Sequence, residues 1–229
     1  KKADATIKGL GQMFGLRSAM TFLSSYGLTP AEGVRAWKKW GPITVDVVKD
    51  NPYPLCDEEI GVEFKRADEI ALSVGIEEDS GKRLFGAASH VLRHNLKNGH
   101  TCLARQTVVQ LVMRLTGVEE AAIEADIDQR IEEEELFSVQ KNREFLFLPS
   151  MYNAERYIAM RLSMMLQNRF FVSRNIDEMI DHTEAEKGIH YESLQREAIR
   201  EALQKSMLIL TGGPGTRKTT TLTAVIDLL

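Results

Sequence analysis

A chain of 229 residues with 43% hydrophobic and 27% charged residues has the make-up of a folded globular protein, which excludes a disordered tail or a fibre. Its formal net charge of -4 excludes coating nucleic acid by overall charge, so any such contact must use a local basic face. The two cysteines, Cys56 and Cys102, lie far apart outside any CxxC spacing; they read as free thiols and leave neither a zinc site nor a disulfide framework.

Charge is segregated along the chain. Lys1 to Asp50 carries eight Lys or Arg against four Asp or Glu, whereas Val118 to Glu135 carries nine acids against the single Arg130, so nucleic-acid contact is expected early. No apolar stretch approaches the roughly 18 residues of a membrane span. The opening Lys1-Lys2-Ala3-Asp4 lacks the apolar core of a signal peptide, so a cytoplasmic protein without membrane contact is expected. Both ends read as cut from something longer, because the first residue is not Met and Leu229 falls inside a helical pattern.

From Ile7 to Ile76, Gly and Pro punctuation at Gly9, Gly11, Gly27, Pro30, Gly41-Pro42, Pro52, Pro54, Gly61 and Gly75 predicts a string of short helices. Thr29 is a good N-cap for a helix whose first turn accepts Pro30 and whose end is Gly41. Trp37 and Trp40, at i and i+3, are expected to pack that helix into a core rather than stack on bases. Lys82 to Pro149 predicts a helix to Lys97, a turn at Asn98-Gly99 and an extended piece at His100 to Leu103. A helix from Arg105 ending at Gly117 and a second one over Glu119 to Glu135 follow, then a hairpin of 136–139 and 145–148. Helices followed by a hairpin suggest a winged helix. Glu132 to Glu135 reads as the solvated end of a helix, and His90 and His94 as surface residues without a third metal ligand.

Met151 to Phe171 predicts a longer helix, with Ala154, Ile158, Leu162 and Met165 as its core stripe and Arg156, Arg161 and Arg169 off it. Ser173 to Lys187 reads as a polar linker, before a helix over Glu192 to Lys205 and an apolar strand at 207–210. The expected fold is mainly α, divided into a helix-hairpin-helix-like region over 1–76, a winged-helix-like region over 77–150 and a connecting helix and linker over 151–190. The last part, 191–229, reads as the opening strand, loop and helix of a P-loop α/β domain.

That P-loop is the strongest motif. Gly212-Gly213-Pro214-Gly215-Thr216-Arg217-Lys218-Thr219-Thr220 follows the expected strand and opens a helix, so backbone N–H groups and the helix N-terminus can surround a phosphate. In such a loop the Lys reaches β and γ oxygens and the Thr hydroxyl binds magnesium, roles that fall to Lys218 and Thr219 with ATP and Mg2+ as the implied cofactors. Arg217 stands where the pattern has its second glycine, and a Cβ there is expected to strain the loop and weaken nucleotide binding.

The run Leu194-Gln195-Arg196-Glu197-Ala198-Ile199, followed by Leu208 to Thr216, is similar to the entry into the motor of RecD-type helicases of superfamily 1. The resemblance extends upstream through Phe22 to Pro30, Asn51-Pro52-Tyr53 and Ile60 to Ala71, which look like the helix-hairpin-helix segments of RecD-like helicases with an N-terminal extension. It implies an ATP-dependent 5′-to-3′ DNA helicase of recombination and repair, with Gln195 contacting the adenine and the remaining catalytic groups beyond Leu229. By this resemblance Gly61, Lys65 and Arg66 would contact DNA, single-stranded or at a junction, through amides aimed at phosphate. Glu63 departs from the hairpin pattern by replacing its second glycine with a carboxylate. The alternative is a DNA-phosphate-binding or protein-interaction module without nucleotide activity.

Overall fold

A computed structural model describes residues 15–167 and 175–229. The expected Gly9 and Gly11 punctuation and the helix residues past Gln167, Arg169 among them, lie outside these. The chain divides into two compact units, residues 1–153 and 154–229.

The first unit opens with helix α1, described over 15–25, which ends in Gly27 at φ +74°. Helix α2 (Pro30–Trp40) begins as expected at Thr29: the Thr29 side chain accepts from the Glu32 N–H while the Glu32 carboxylate accepts from the Thr29 N–H at 2.7 Å. This reciprocal cap satisfies two amides the helix itself cannot. After α3 (Thr44–Asp50) and a 3-10 turn (Tyr53–Cys56), the chain makes the turn 57–63 into α4 (Phe64–Ser73). Leu23, Leu28, Ala36, Val48, Leu55, Ile60, Val62 and Ile70 form one core, with Trp40 packed against it.

The rest of this unit is α5 (Gly81–Leu96), β1 (Cys102–Ala104), α6 (Arg105–Thr116), α7 (Glu120–Glu132), β2 (Phe137–Gln140) and β3 (Glu144–Phe147). The strands pair antiparallel in the order β1-β3-β2, with Leu103 opposite Leu146 and Ser138 also opposite Leu146. The helix-strand-helix-helix-hairpin order and this three-stranded sheet give the winged-helix arrangement. Its core of Leu84, Ala88, Val91, Val108, Val112, Ile123, Ile127 and Leu146 also takes Tyr53, Phe64, Ala67 and Ala71. Helix α4 therefore belongs to both cores, Ile70 to one and Phe64, Ala67 and Ala71 to the other.

Helix α8 (Pro149–Gln167) runs across the division between the units. The core stripe expected along it is not one: Ile158, Leu162 and Met165 are exposed, as are Tyr157, Met160, Met164 and Leu166. The apolar residues follow helical spacing, but no element of the described chain covers them. In the second unit, Ile176–Lys187 forms helix α9 rather than a linker, since Asp177, Asp181 and Glu184 pair with Arg196 and Arg200 on the next helix while Ile176, Ile180 and Thr183 are buried. Helices α10 (Ser193–Gln204) and α11 (Lys218–Leu228) complete the third core through Ile199, Leu203 and Ala224, with Tyr191. Residues 207–210 are not a strand, and Ile209 is 76% exposed. A strand needs a hydrogen-bonded neighbour, and the described residues of this unit offer none.

Candidate nucleotide and DNA contacts

The loop from Gly212 to Arg217 is exposed throughout and leads directly into α11. Gly215 adopts φ +80° with open space around it, and Gly213 likewise has nothing within 4 Å of where a Cβ would stand. Thr216 donates its hydroxyl to the Gly213 carbonyl at 2.9 Å, which tightens the turn. Lys218 is the first residue of α11 and folds its ammonium back over the loop, donating to the Gly212 and Gly213 carbonyls at 2.6 and 2.7 Å. A cation held inside a glycine-rich ring at a helix N-terminus is a fitting arrangement for phosphate, because ammonium, amides and helix dipole attract the same anion. Thr219 and Thr220 follow, both exposed, and Thr223 donates to the Thr219 carbonyl.

Arg217 lies at φ +52°, ψ +33°, the left-handed conformation that a glycine adopts freely and an arginine does not. The loop backbone keeps the shape its glycine pattern calls for, and Arg217 carries the strain of about 1–2 kcal/mol that a Cβ brings there.

Gln195 sits in the first turn of α10, where its side-chain oxygen accepts from the Glu192 N–H at 2.9 Å. Its amide nitrogen faces the buried Thr221 hydroxyl on α11 at 3.4 Å, and that hydroxyl in turn meets the Arg217 carbonyl at 3.3 Å. The fold thus brings Gln195 to the helix that carries Lys218, with both ends of its amide engaged in capping and packing. This capping role escaped sequence reasoning, although Glu192 and Gln195 have the spacing of a capping box.

In the first unit, Gly61 occupies φ +77° at the tip of the 57–63 turn, and its N–H donates to the Asp57 carbonyl at 2.7 Å. Ile60 and Val62, on either side, are buried, and the Val62 N–H closes the turn on the Leu55 carbonyl at 3.0 Å. Asp57 anchors the turn by pairing with Lys39 at 2.8 Å and Arg93 at 2.6 Å. Lys65 is exposed in the first turn of α4, whereas Arg66 is drawn onto Glu32 at 3.1 Å. Glu63 immediately precedes α4 in extended conformation, so its backbone does not need the glycine it replaces; its carboxylate is the departure that matters.

The winged-helix half turns an unfavourable face to phosphate. In helix-turn-helix folds the second helix of the pair enters the DNA groove, and here that helix, α7, exposes Glu120, Asp128 and Glu132. Its neighbouring cations are consumed: Arg105 by Glu124, Asp128 and Glu144, and Arg130 by Asp126, Glu133 and Glu135. His90 is half-buried rather than fully exposed, with its ring 5.1 Å from that of Phe64 and 6.2 Å from that of His94.

Comparison with known proteins bears on both halves of this picture. Residues 12–102 match the family of the ATP-dependent RecD2 DNA helicase HHH domain. Over this stretch the chain is similar to a RecD2-type helix-hairpin-helix domain. Residues 195–229 match the AAA domain family, a stretch that holds Gln195, the loop and α11. The ATP-dependent RecD2 DNA helicase of Deinococcus radiodurans is 28% identical over 223 residues, 93% of this chain and 31% of that protein. The chain therefore spans about a third of the length of this relative, and the matched stretch 12–102 contains the 57–63 turn. Among the described residues no helix is long and apolar enough to cross a membrane, and no cluster of His, Cys, Asp or Glu is placed to hold a metal ion directly.

Proposed function

We propose that this chain is the N-terminal, nucleotide- and DNA-engaging part of an ATP-dependent 5′-to-3′ DNA helicase acting in recombination and repair. The observation that carries the reading is the placement of Lys218 at the start of α11 with its ammonium gathered over the 212–216 loop. The match of 195–229 to an AAA domain and the likeness to a RecD2 DNA helicase support it.

In this reading, Lys218 leaves the loop carbonyls for the β and γ oxygens of ATP, and the N–H groups of Gly213 and of Gly215 to Thr220 turn toward phosphate. Gln195 meets the adenine by giving up its contacts with Glu192 and Thr221, an exchange its amide can make because it both donates and accepts. Magnesium bound with the nucleotide supplies charge neutralisation, and the Thr219 hydroxyl is the group on this chain that would hold it. DNA, single-stranded or at a junction, meets the 60–66 turn through Lys65 and the first amides of α4. Arg66 contributes only by releasing Glu32.

The test is equilibrium binding of a fluorescent ATP analogue with magnesium to the chain, to Arg217→Gly and to Arg217→Gly/Lys218→Ala. Tighter binding by the glycine variant and its loss in the double variant is the expected result. Absence of binding by all three would favour the other reading, a DNA-phosphate or protein-interaction module, which the unpaired 207–210 segment also favours.

A further inference from the structure

A continuous groove leads away from the 57–63 turn. Its first part is lined by Glu63, Phe64, Lys65, Asp68, His90, Arg114 and Leu115. The second part shares His90, Arg114 and Leu115 and adds Val91, His94 and Leu111, so the groove passes from the start of α4 over α5 to the end of α6. Its ionisable groups are unevenly matched. Asp68 is spent on the Arg83 guanidinium and the Tyr53 hydroxyl, which leaves Glu63 as the exposed carboxylate at the mouth. Lys65 and Arg114 are exposed cations of its lining, His90 lines both parts and His94 the second. Leu115 is 41% exposed, and with Phe64 and Leu111 it gives the groove an apolar side.

We propose that this groove is a second DNA contact, which takes a single strand from the hairpin turn across α5 to Arg114. The assignment rests on the DNA part of the reading above and is independent of its nucleotide part. A cationic rim with an apolar side suits an unpaired strand, whose phosphates meet charge while sugars and bases cover Leu115; a duplex presents only its backbone. Glu63 sets the register, because phosphates avoid its carboxylate and settle on either side of it. The acidic face of α7 belongs to the same unit and repels the strand's phosphates.

His90 makes the contact proton-dependent. Burial holds the His90 pKa below the ordinary histidine value, and the neighbouring His94, Arg93 and Lys97 push it the same way. The other charged groups lining its surroundings are Glu63, Lys65 and Asp68 from α4 and Arg114 from α6. His90 is therefore neutral near pH 7 in the free protein, and an arriving phosphate favours its protonation. Binding strengthens on acidification, by at most about tenfold for each unit by which phosphate raises the His90 pKa.

The experiment is fluorescence anisotropy of a labelled oligothymidine, and of a duplex of equal length, titrated with the whole chain across a salt series at pH 6 and pH 7.5. Arg114→Gln is expected to weaken single-strand binding and to flatten the logarithmic salt dependence by about 0.7, the value of one lost phosphate contact. His90→Gln is expected to remove the gain at pH 6, and Lys205→Gln, in the other unit, to change neither. Circular dichroism confirms that each variant is folded. Sensitivity to Lys65→Gln with indifference to Arg114 and His90 would overturn the groove while keeping the turn as a contact. Equal losses on duplex would overturn the single-strand assignment, and no binding by the unaltered chain at low salt would remove the groove and the DNA reading together.

Discussion

The Asp68 carboxylate receives two hydrogen bonds from the Arg83 guanidinium, at 2.8 and 2.9 Å, and a third from the Tyr53 hydroxyl at 2.7 Å. Arg83 is 5% exposed and also donates to the Glu78 and Thr116 carbonyls, so one side chain ties α4, α5 and the end of α6 together. Asp68→Asn leaves a buried guanidinium without its counter-charge and is expected to lower unfolding free energy by about 3–5 kcal/mol. Urea denaturation checks this; a loss below about 1 kcal/mol would mean that the pair behaves like one on the surface.

The same pair predicts an acid limb. Burial alone would raise the Asp68 pKa, but the hydrogen bonds from Arg83 and Tyr53 outweigh it and hold the carboxyl below the ordinary aspartate range. A carboxylate with a depressed folded pKa adds stability above its unfolded pKa and loses it as pH falls through the folded one. Between pH 5 and pH 2 the protein should therefore lose stability more steeply than Asp68→Asn does, as read by chemical denaturation at each pH.

Gly86 is predicted to be intolerant of alanine. A Cβ on this residue of α5 would stand 2.3 Å from Tyr53 Cγ, and Tyr53 cannot retreat because its ring is in the core and its hydroxyl is held by Asp68. Overpacking of this kind costs about 1–3 kcal/mol, which exceeds the ~1 kcal/mol that alanine gains over glycine in a helix. Thermal unfolding of Gly86→Ala should show a lower Tm; a higher one would mean that the ring moves freely.

Cys56 should be a slow thiol. Burial pushes its pKa up to about 12, with Arg93 acting weakly in the other direction. At pH 8 very little thiolate is present, and the thiolate is the reactive species. In a Cys102→Ser background, labelling by a disulfide reagent should be at least ~100-fold slower in native buffer than in urea. Comparable rates would place the thiol in solvent.

Two charge changes separate binding from folding. Glu63→Gln removes the carboxylate at the groove mouth and should strengthen oligonucleotide binding on the order of fivefold at low salt, an effect that fades as salt screens it. Lys218→Ala removes hydrogen bonds to exposed loop carbonyls and should change stability by less than about 0.5 kcal/mol while abolishing nucleotide binding in the Arg217→Gly background. A large stability loss would show that the ammonium holds the loop together.

What the sequence makes legible is local. Thr29 and Pro30, Gly117, the 136–148 hairpin and the glycines of the 212–215 loop each act within a few residues, and each is found where local chemistry puts it. What depends on a distant partner is hidden. The segment 207–210 has strand composition without a neighbouring strand, and the α8 stripe has core composition without a cover. Helix α9 is concealed by its surplus of acid, several of which pair across to Arg196 and Arg200 on α10. At the candidate sites, residue types and spacing point to Lys218 and Gly61, but not to the capping of the Glu192 N–H by the Gln195 side chain or the pairing of Arg66 with Glu32. The groove is invisible in sequence because its lining comes from three separate helices.

Helix α4 shows Ile70 to one core and Phe64, Ala67 and Ala71 to the other, so the seam between the two halves of the first unit runs lengthwise along a helix. A seam of that kind leaves no neutral place to cut. A fragment ending after α4 would carry a bare row of Phe64, Ala67 and Ala71 into water, and one beginning at α5 would open its own interior at the same positions. Exchange of either half between relatives can succeed only when this helix's two faces are inherited with the surfaces they cover, which ties the evolution of the hairpin to that of the winged helix beside it.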